Sequence, residues 1–275
     1  MHGRGRVGCV EVAVRGRVRG VVVVALVTLT AMAGCATGVP GSTPTTGAAA
    51  RPAPTPTEEP GARCPEEAAQ GRAVRATTPA GSSIGAVSLR NGTTAVIMAH
   101  QSGGNLCQWM PYATILASKG YRVLAFDFAG YGSSTMVGPQ TFTDDIAALV
   151  ALVRAEGATK VVLVGASMGG TMSLVAATTI QPAVQAVISV SAPTSFDGVN
   201  ALAAVPALTM PALFMAAEGD GAFGSAAREL AGATPKGKAT LDLIDTFYHG
   251  VSLLDPTWPD SEPFRKRIED FIAAA

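Results

Sequence analysis

An apolar run, Val161 to Val164, breaks off into Gly165-Ala166-Ser167-Met168-Gly169 and then into a second stretch of small and apolar residues. The run reads as a strand covered on both faces, and the stretch from about Gly169 to Ile180 has the length of a helix. Joining the two almost directly puts Ser167 on a sharp turn with a strained backbone, where glycines remove side chains that would otherwise collide. The hydroxyl is then held up at the end of a sheet. The N–H of Met168 stands at a helix N-terminus, where developing negative charge is favoured.

The rest of the chain supplies what such a joint needs. Past Cys64, β-like runs alternate with helical segments, the pattern of an α/β domain with about eight strands in a mostly parallel sheet and helices on both faces. Residues 72–78 and 84–90 read as antiparallel strands, and Asn91-Gly92 predicts a hairpin into the strand at 94–99. A helix is expected over 108–119, stopped by Gly120. A strand and a glycine-rich loop follow (121–132), then a helix over 141–157 with Thr143 as its expected cap and acidic residues in its first turn. Further strands are expected at 184–191, 211–217 and 239–247, and helices at 225–233 and 261–275. Between the strands at 184–191 and 211–217 lies only a short connection, Pro193 to Met210.

The front end is a different kind of sequence. Arg4, Arg6, Arg15, Arg17 and Arg19 precede an apolar run from Val21 to Ala33, shorter than the roughly 20 residues a membrane span needs. This is the layout of a secretory signal peptide. Ala33-Gly34-Cys35 resembles a bacterial lipobox, which implies cleavage before Cys35, lipid on that cysteine and anchorage at the outer face of a membrane. Residues 36–63, rich in Pro, Thr, Ala and Gly, cannot bury a core and read as a disordered tether. The expected organisation is therefore a signal peptide (1–34), a lipidated Cys35 with its tether (35–63) and one domain (64–275). Export leaves Cys64 and Cys107 in an oxidising compartment as a candidate disulfide. Twenty basic residues balance twenty acidic ones, which speaks against nucleic acid as a partner.

A serine hydroxyl is a poor nucleophile until a base takes its proton. Of the three histidines, His2 lies in the signal and His100 ends the strand at 94–99, which leaves His249, past the last strand. An acid must set the tautomer of that imidazole. Asp197, Glu218 and Asp220 compete for that place, while Asp242 and Asp245 read as residues of the sheet surface or its end.

These features together resemble the α/β-hydrolases from about Gly71 to the end of the chain. The pentapeptide at 165–169 is similar to that family's nucleophile elbow, the loop at 216–220 to its acid loop with Ala217 in place of a glycine, and Tyr248-His249-Gly250 to its histidine loop. His100-Gln101-Ser102-Gly103-Gly104-Asn105 resembles its oxyanion loop, with Gln101 where a glycine is expected. The resemblance implies Ser167 as nucleophile, His249 as base, Asp220 as the orienting acid, and the backbone N–H groups of Met168 and Ser102 as the oxyanion donors, with the donor shifted by one residue as the alternative that Gln101 opens. His100 and Asp127 read as structural. The short connection from Pro193 to Met210 is the place of a lid in that family, which implies an uncapped site with no large lid here. The implied activity is that of a carboxylic ester hydrolase, EC 3.1 in class, taking a small-molecule or lipid-like acyl substrate, ester or thioester, through an acyl-enzyme. No cofactor is expected, because Gly130 and Gly132 do not meet the dinucleotide-binding spacing, and no residue cluster suggests a metal. Trp109, Met168, Phe196 and Phe223 either line the site or belong to the core. A reading from another class is a surface lipoprotein that keeps the fold and binds a ligand or partner without turnover. Acyl preference and oligomeric state are open at this level.

Overall fold

The computed structural model describes residues 55–139 and 141–275; the expected signal peptide, Cys35 and most of the expected tether lie outside these residues. In chain order the elements are α1 (Pro65–Ala68), β1 (Arg72–Thr77), β2 (Ser83–Leu89), β3 (Thr94–Ala99), α2 (Met110–Ser118), β4 (Arg122–Phe126), α3 (Phe142–Ala155), β5 (Lys160–Ala166), α4 (Met168–Thr179), β6 (Ala186–Val190), the short strands β7 (Ser195–Phe196) and β8 (Val199–Asn200), α5 (Ala201–Ala204), β9 (Ala212–Ala217), α6 (Phe223–Ala233), β10 (Ala239–Ile244) and α7 (Glu262–Ala274).

Eight strands form one sheet in the order β1-β2-β4-β3-β5-β6-β9-β10. β2 runs antiparallel to both of its neighbours, and from β4 onward every pairing is parallel. Parallel strands must be covered on both faces, and β3 and β5 show how. Ile97, Val161 and Leu163 face a core shared with α3, α4 and α6, while Val96, Met98, Val162 and Val164 face a second core built with α2 and α7. The near-continuous apolar sequences of these strands are thus two alternating sets, one for each layer.

Several local expectations are corrected. Asn91-Gly92 makes no hairpin: β2 pairs with β1 and β4, and β3 lies beyond β4, between it and β5. A fully apolar strand gains more from two parallel neighbours and two covered faces than from a tight antiparallel turn. Gly92 instead lets the chain pass close to the backbone of Gly120 and Arg122. The cap of α3 is Thr141 rather than Thr143, and the Asp144 carboxylate accepts the Thr141 N–H at 3.0 Å. The helix expected over 108–119 begins as a 3-10 turn, Leu106–Gln108, and becomes α-helical only at Met110. Between β6 and β9 there is no large lid, but the connection carries structure: Asp197 (φ 46°) and Gly198 (φ 79°) form a two-residue turn joining β7 to β8, and α5 follows.

The packed chain reaches back ahead of Cys64. Pro60 and Gly61 are buried, and Arg75 donates to the carbonyl oxygens of Glu58 (3.0 Å) and Ser133 (2.8 Å). Cys64 and Cys107 are joined in a disulfide. The bridge fastens the residue before α1 to the 3-10 turn that follows the loop leaving β3.

Candidate active site

The turn after β5 has the strain its sequence implies. Ser167 adopts φ 48°, ψ −117°, a conformation that costs a non-glycine residue about 1–3 kcal/mol. Surrounding contacts hold it there: the Ser167 N–H donates to Val190 O at 2.8 Å, tying the turn to the end of β6, and Thr171 N–H donates to Ser167 O at 3.1 Å. The glycines at either side are required by close approach. A Cβ on Gly165 would overlap the Gly169 carbonyl, and one on Gly169 would overlap the carbonyl of Ala99 at the end of β3. The start of α4 is thereby pressed against the backbone of the loop that leaves β3. Serine at a helix N-cap ordinarily caps with its side chain, but Ser167 makes no such bond. Among the described residues its hydroxyl has no hydrogen-bond partner, and the Met168 N–H, in the first turn of α4, has no intrahelical partner.

Asp220 and His249 come together. Asp220 follows β9, His249 follows β10, and the parallel pairing of those strands brings their C-terminal loops side by side. The His249 Nδ1–H donates to Asp220 Oδ2 at 2.7 Å, with the Asp220 side chain 11% exposed and that of His249 32%. In a neutral imidazole such a bond selects the tautomer with the proton on Nδ1 and Nε2 as the acceptor. The ring of Phe223 lies against the imidazole, centroids 4.3 Å apart. Among the described residues, no hydrogen bond joins the Ser167 hydroxyl to His249. The two competing acids are engaged elsewhere: Glu218 pairs with Arg228 at 2.6 Å, and Asp197 is an exposed residue of the β7–β8 turn.

The loop after β3 turns at Gln101–Gly104, closed by Gly104 N–H to Gln101 O at 3.1 Å, with Gly103 in the left-handed region (φ 72°) and Ser102 exposed. Gln101 keeps a φ any residue adopts, so a glycine is not needed there. Its side chain is employed instead. Gln101 Oε1 accepts the Val251 N–H at 3.2 Å and occupies the space a Cβ on Gly250 (φ 56°) would fill. From the other side, Ser191 Oγ accepts the Gly250 N–H at 3.0 Å. The segment directly after His249 is therefore clasped by two side chains that carry no motif in the sequence. Ser191 sits buried at φ 50° after β6.

His100 and Asp127 hold the surrounding loops. His100 is buried; its Nε2 accepts the Phe128 N–H at 3.1 Å and its Nδ1–H donates to Gln101 O at 2.8 Å. A ring that accepts at one nitrogen and donates at the other is neutral, and burial lowers its pKa accordingly. Asp127 accepts from Leu106 N–H (2.7 Å), Ser133 N–H (2.8 Å) and Ser133 Oγ (2.7 Å), binding the loop after β4 to the one after β3. Asp145 on α3 accepts the Ala129 N–H at 2.9 Å, and burial pushes its carboxyl up to about 7. Of the aromatic and apolar residues considered for the site, Trp109 and Met168 are fully buried core residues, and Phe196 packs at the edge of the core. Phe223 alone of the four is against His249.

A sequence profile described as the alpha/beta hydrolase fold matches residues 94–214. Among solved structures, the chain resembles the esterase Pf2001 of Pyrococcus furiosus at 18% identity and TM-score 0.66, covering 81% of this chain and 97% of that one. It also resembles the enol-lactonase of Burkholderia xenovorans LB400 (18% identity, TM-score 0.62, 73% and 100% covered). A third similar structure is the esterase EaEST of Exiguobacterium antarcticum (16%, TM-score 0.61, 74% and 100%). No curated protein matches the sequence. At these identities the likeness establishes the fold: eight mostly parallel strands between helical layers, the α/β-hydrolase fold.

Proposed function

We propose that this α/β-hydrolase-fold chain is a serine hydrolase that cleaves a carboxylic ester or thioester through an acyl-enzyme. The observation that carries the reading is the Asp220–His249 hydrogen bond of 2.7 Å, on the same sheet end as a strained, uncapped serine. In this reading Ser167 Oγ attacks the acyl carbonyl while His249 Nε2 takes its proton. Asp220 stabilises the imidazolium, and His249 returns the proton to the departing alcohol or thiol. The Met168 N–H and an N–H of the β3 loop, from Ser102 or its neighbour Gln101, receive the negative charge of the tetrahedral intermediate. Water activated by the same imidazole then releases the acid. The esterases and the lactonase among similar structures support an ester-type bond over other acyl linkages.

Export on a lipid anchor at Cys35 is part of the proposal. It rests on the basic, apolar and Ala33-Gly34-Cys35 pattern, and the Cys64–Cys107 bridge fits an oxidising compartment. One observation favours the non-catalytic alternative, a binding lipoprotein: Ser167 and His249 are not hydrogen-bonded. In many hydrolases that contact tightens only with substrate bound, so the deciding experiment is chemical. A fluorophosphonate probe should label one band in the membrane fraction of producing cells, the label should map to Ser167, and Cys35→Ala should move the labelled band to the soluble fraction. A folded protein that resists the probe would leave the binding reading in possession. A labelled band unmoved by Cys35→Ala would remove the anchor and keep the enzyme.

The clasp on the histidine loop has its own expected outcome. Gln101→Met keeps the length of the side chain and deletes the acceptor for the Val251 N–H. Loss of one hydrogen bond of about 1 kcal/mol corresponds to a drop in kcat of roughly fivefold with KM nearly unchanged. Steady-state kinetics on a p-nitrophenyl ester would measure it, and an unchanged kcat would mean that the histidine is held well enough without Gln101.

A further inference from the structure

The proposed chemistry makes no use of an open cavity of about 730 Å³ lined in part by the loops that carry Asp220 and His249. It is lined by the aromatic residues Phe247, Tyr248, Trp258 and Phe264 and by the exposed acidic residues Asp245 and Asp260. The rings follow one another at centroid distances of 5.1, 4.6 and 5.7 Å. Phe247 is 73% exposed and Tyr248 37%, an unusual amount of aromatic surface to leave in water beside a site. Among the described residues, neither carboxylate has an ion-pair or side-chain hydrogen-bond partner, and no Lys, Arg or His lines the cavity. The basic residues of the adjoining helix are occupied: Lys266 pairs with Asp270, Arg267 with Asp242, and Arg265 donates to Ser261 and Asp255.

We propose that this cavity binds an organic cation of the quaternary or alkylated ammonium class. Ring faces are negative and attract a cation whose hydration shell is weak enough to shed, while the unpaired carboxylates supply net negative charge nearby. A neutral apolar group would gain only the rings. A small inorganic cation would gain the carboxylates but hold its water against the rings, and an anion would be repelled. The site is walled by Tyr248, next to His249, and by Gly219, next to Asp220. Its existence does not depend on turnover.

The protein carries its own reporter, since of its two tryptophans Trp109 is fully buried and Trp258 lines the cavity. Titration of the purified protein with choline chloride should change tryptophan emission saturably. The uncharged isostere 3,3-dimethyl-1-butanol should bind about fivefold or more weakly, and sodium chloride at the same ionic strength should give no saturable change. Asp245→Asn with Asp260→Asn should weaken choline binding and leave that of the isostere unchanged, and Trp258→Leu should weaken choline binding when followed by calorimetry. Vesicles form a second arm, with the Cys35→Ala protein so that no anchor contributes: binding to phosphatidylcholine but not to phosphatidylglycerol vesicles would identify a lipid headgroup as the source of the cation, and binding of free choline alone would identify a soluble one. Equal binding of choline and its isostere would make the patch a plain apolar contact surface and overturn the proposal. So would the absence of saturable binding, or binding untouched by the three substitutions.

Discussion

Replacing Ser167 with alanine is expected to lower kcat by a factor on the order of 10⁴ to 10⁶ while leaving the far-ultraviolet circular dichroism unchanged. Removal of a nucleophile that acts in concert with its base abolishes the acyl-enzyme route and leaves only what bound donors and orientation supply. In the proposed mechanism His249→Ala should cost nearly as much, because Ser167 would then have no acceptor for its proton, and the double variant should be little worse than either single one. Asp220→Asn should fall between these and the parent. The carboxylate that receives the His249 Nδ1–H at 2.7 Å would be replaced by an amide able to donate, favouring the wrong tautomer. Kinetics on an ester that the parent cleaves, with active-site titration to exclude contaminating esterase, would measure all four. Full activity in Ser167→Ala would refute the mechanism. Collapse of the fold in His249→Ala would make that residue structural.

Opening the Cys64–Cys107 bridge is expected to have the largest effect on stability. The two residues are 43 apart in sequence, and closing a loop of that length removes chain entropy from the unfolded state worth about 4 kcal/mol. For a domain of this size the loss corresponds to a fall in Tm of roughly 10 °C. The Cys64→Ala/Cys107→Ala variant should show it in a thermal melt, as should the reduced parent. The bridge also secures the segment that follows the β3 loop, where Cys107 N–H donates to Asn105 Oδ1 at 2.9 Å. Activity of the reduced protein should therefore decline at temperatures below its melting transition. An unchanged melt with two titratable thiols would show that the pairing contributes nothing.

The burial pattern of the sheet explains why element types were legible and partners were not. The periodicity of β5 and α3 announces a strand and a helix, because burial of one face or two is written into the order of apolar residues. Which strand lies beside which is not written there. Asn91-Gly92 satisfies every local rule for a hairpin, yet β3 lies on the far side of β4, since neighbours in a sheet are chosen by the sum of contacts across both layers. Asp197-Gly198 is the reverse case, a turn dipeptide between two strands so short that no periodicity flags them.

The sequence by itself determined the α/β class, from strands alternating with helices, and the strand, tight turn and helix around Ser167; it marked Cys64 and Cys107 as a candidate pair and His249 as the histidine left for the proposed base, because each is a matter of residue type and spacing along the chain. Only tertiary structure decided that Asp220 rather than Asp197 or Glu218 meets His249, because the parallel pairing of β9 with β10 sets those two loops side by side while the alternatives are spent on a turn and an ion pair. It alone shows Gln101 and Ser191 gripping the chain after His249. A single hydrogen bond between residues far apart in sequence leaves no trace in local pattern, because its partners are brought together by the whole sheet.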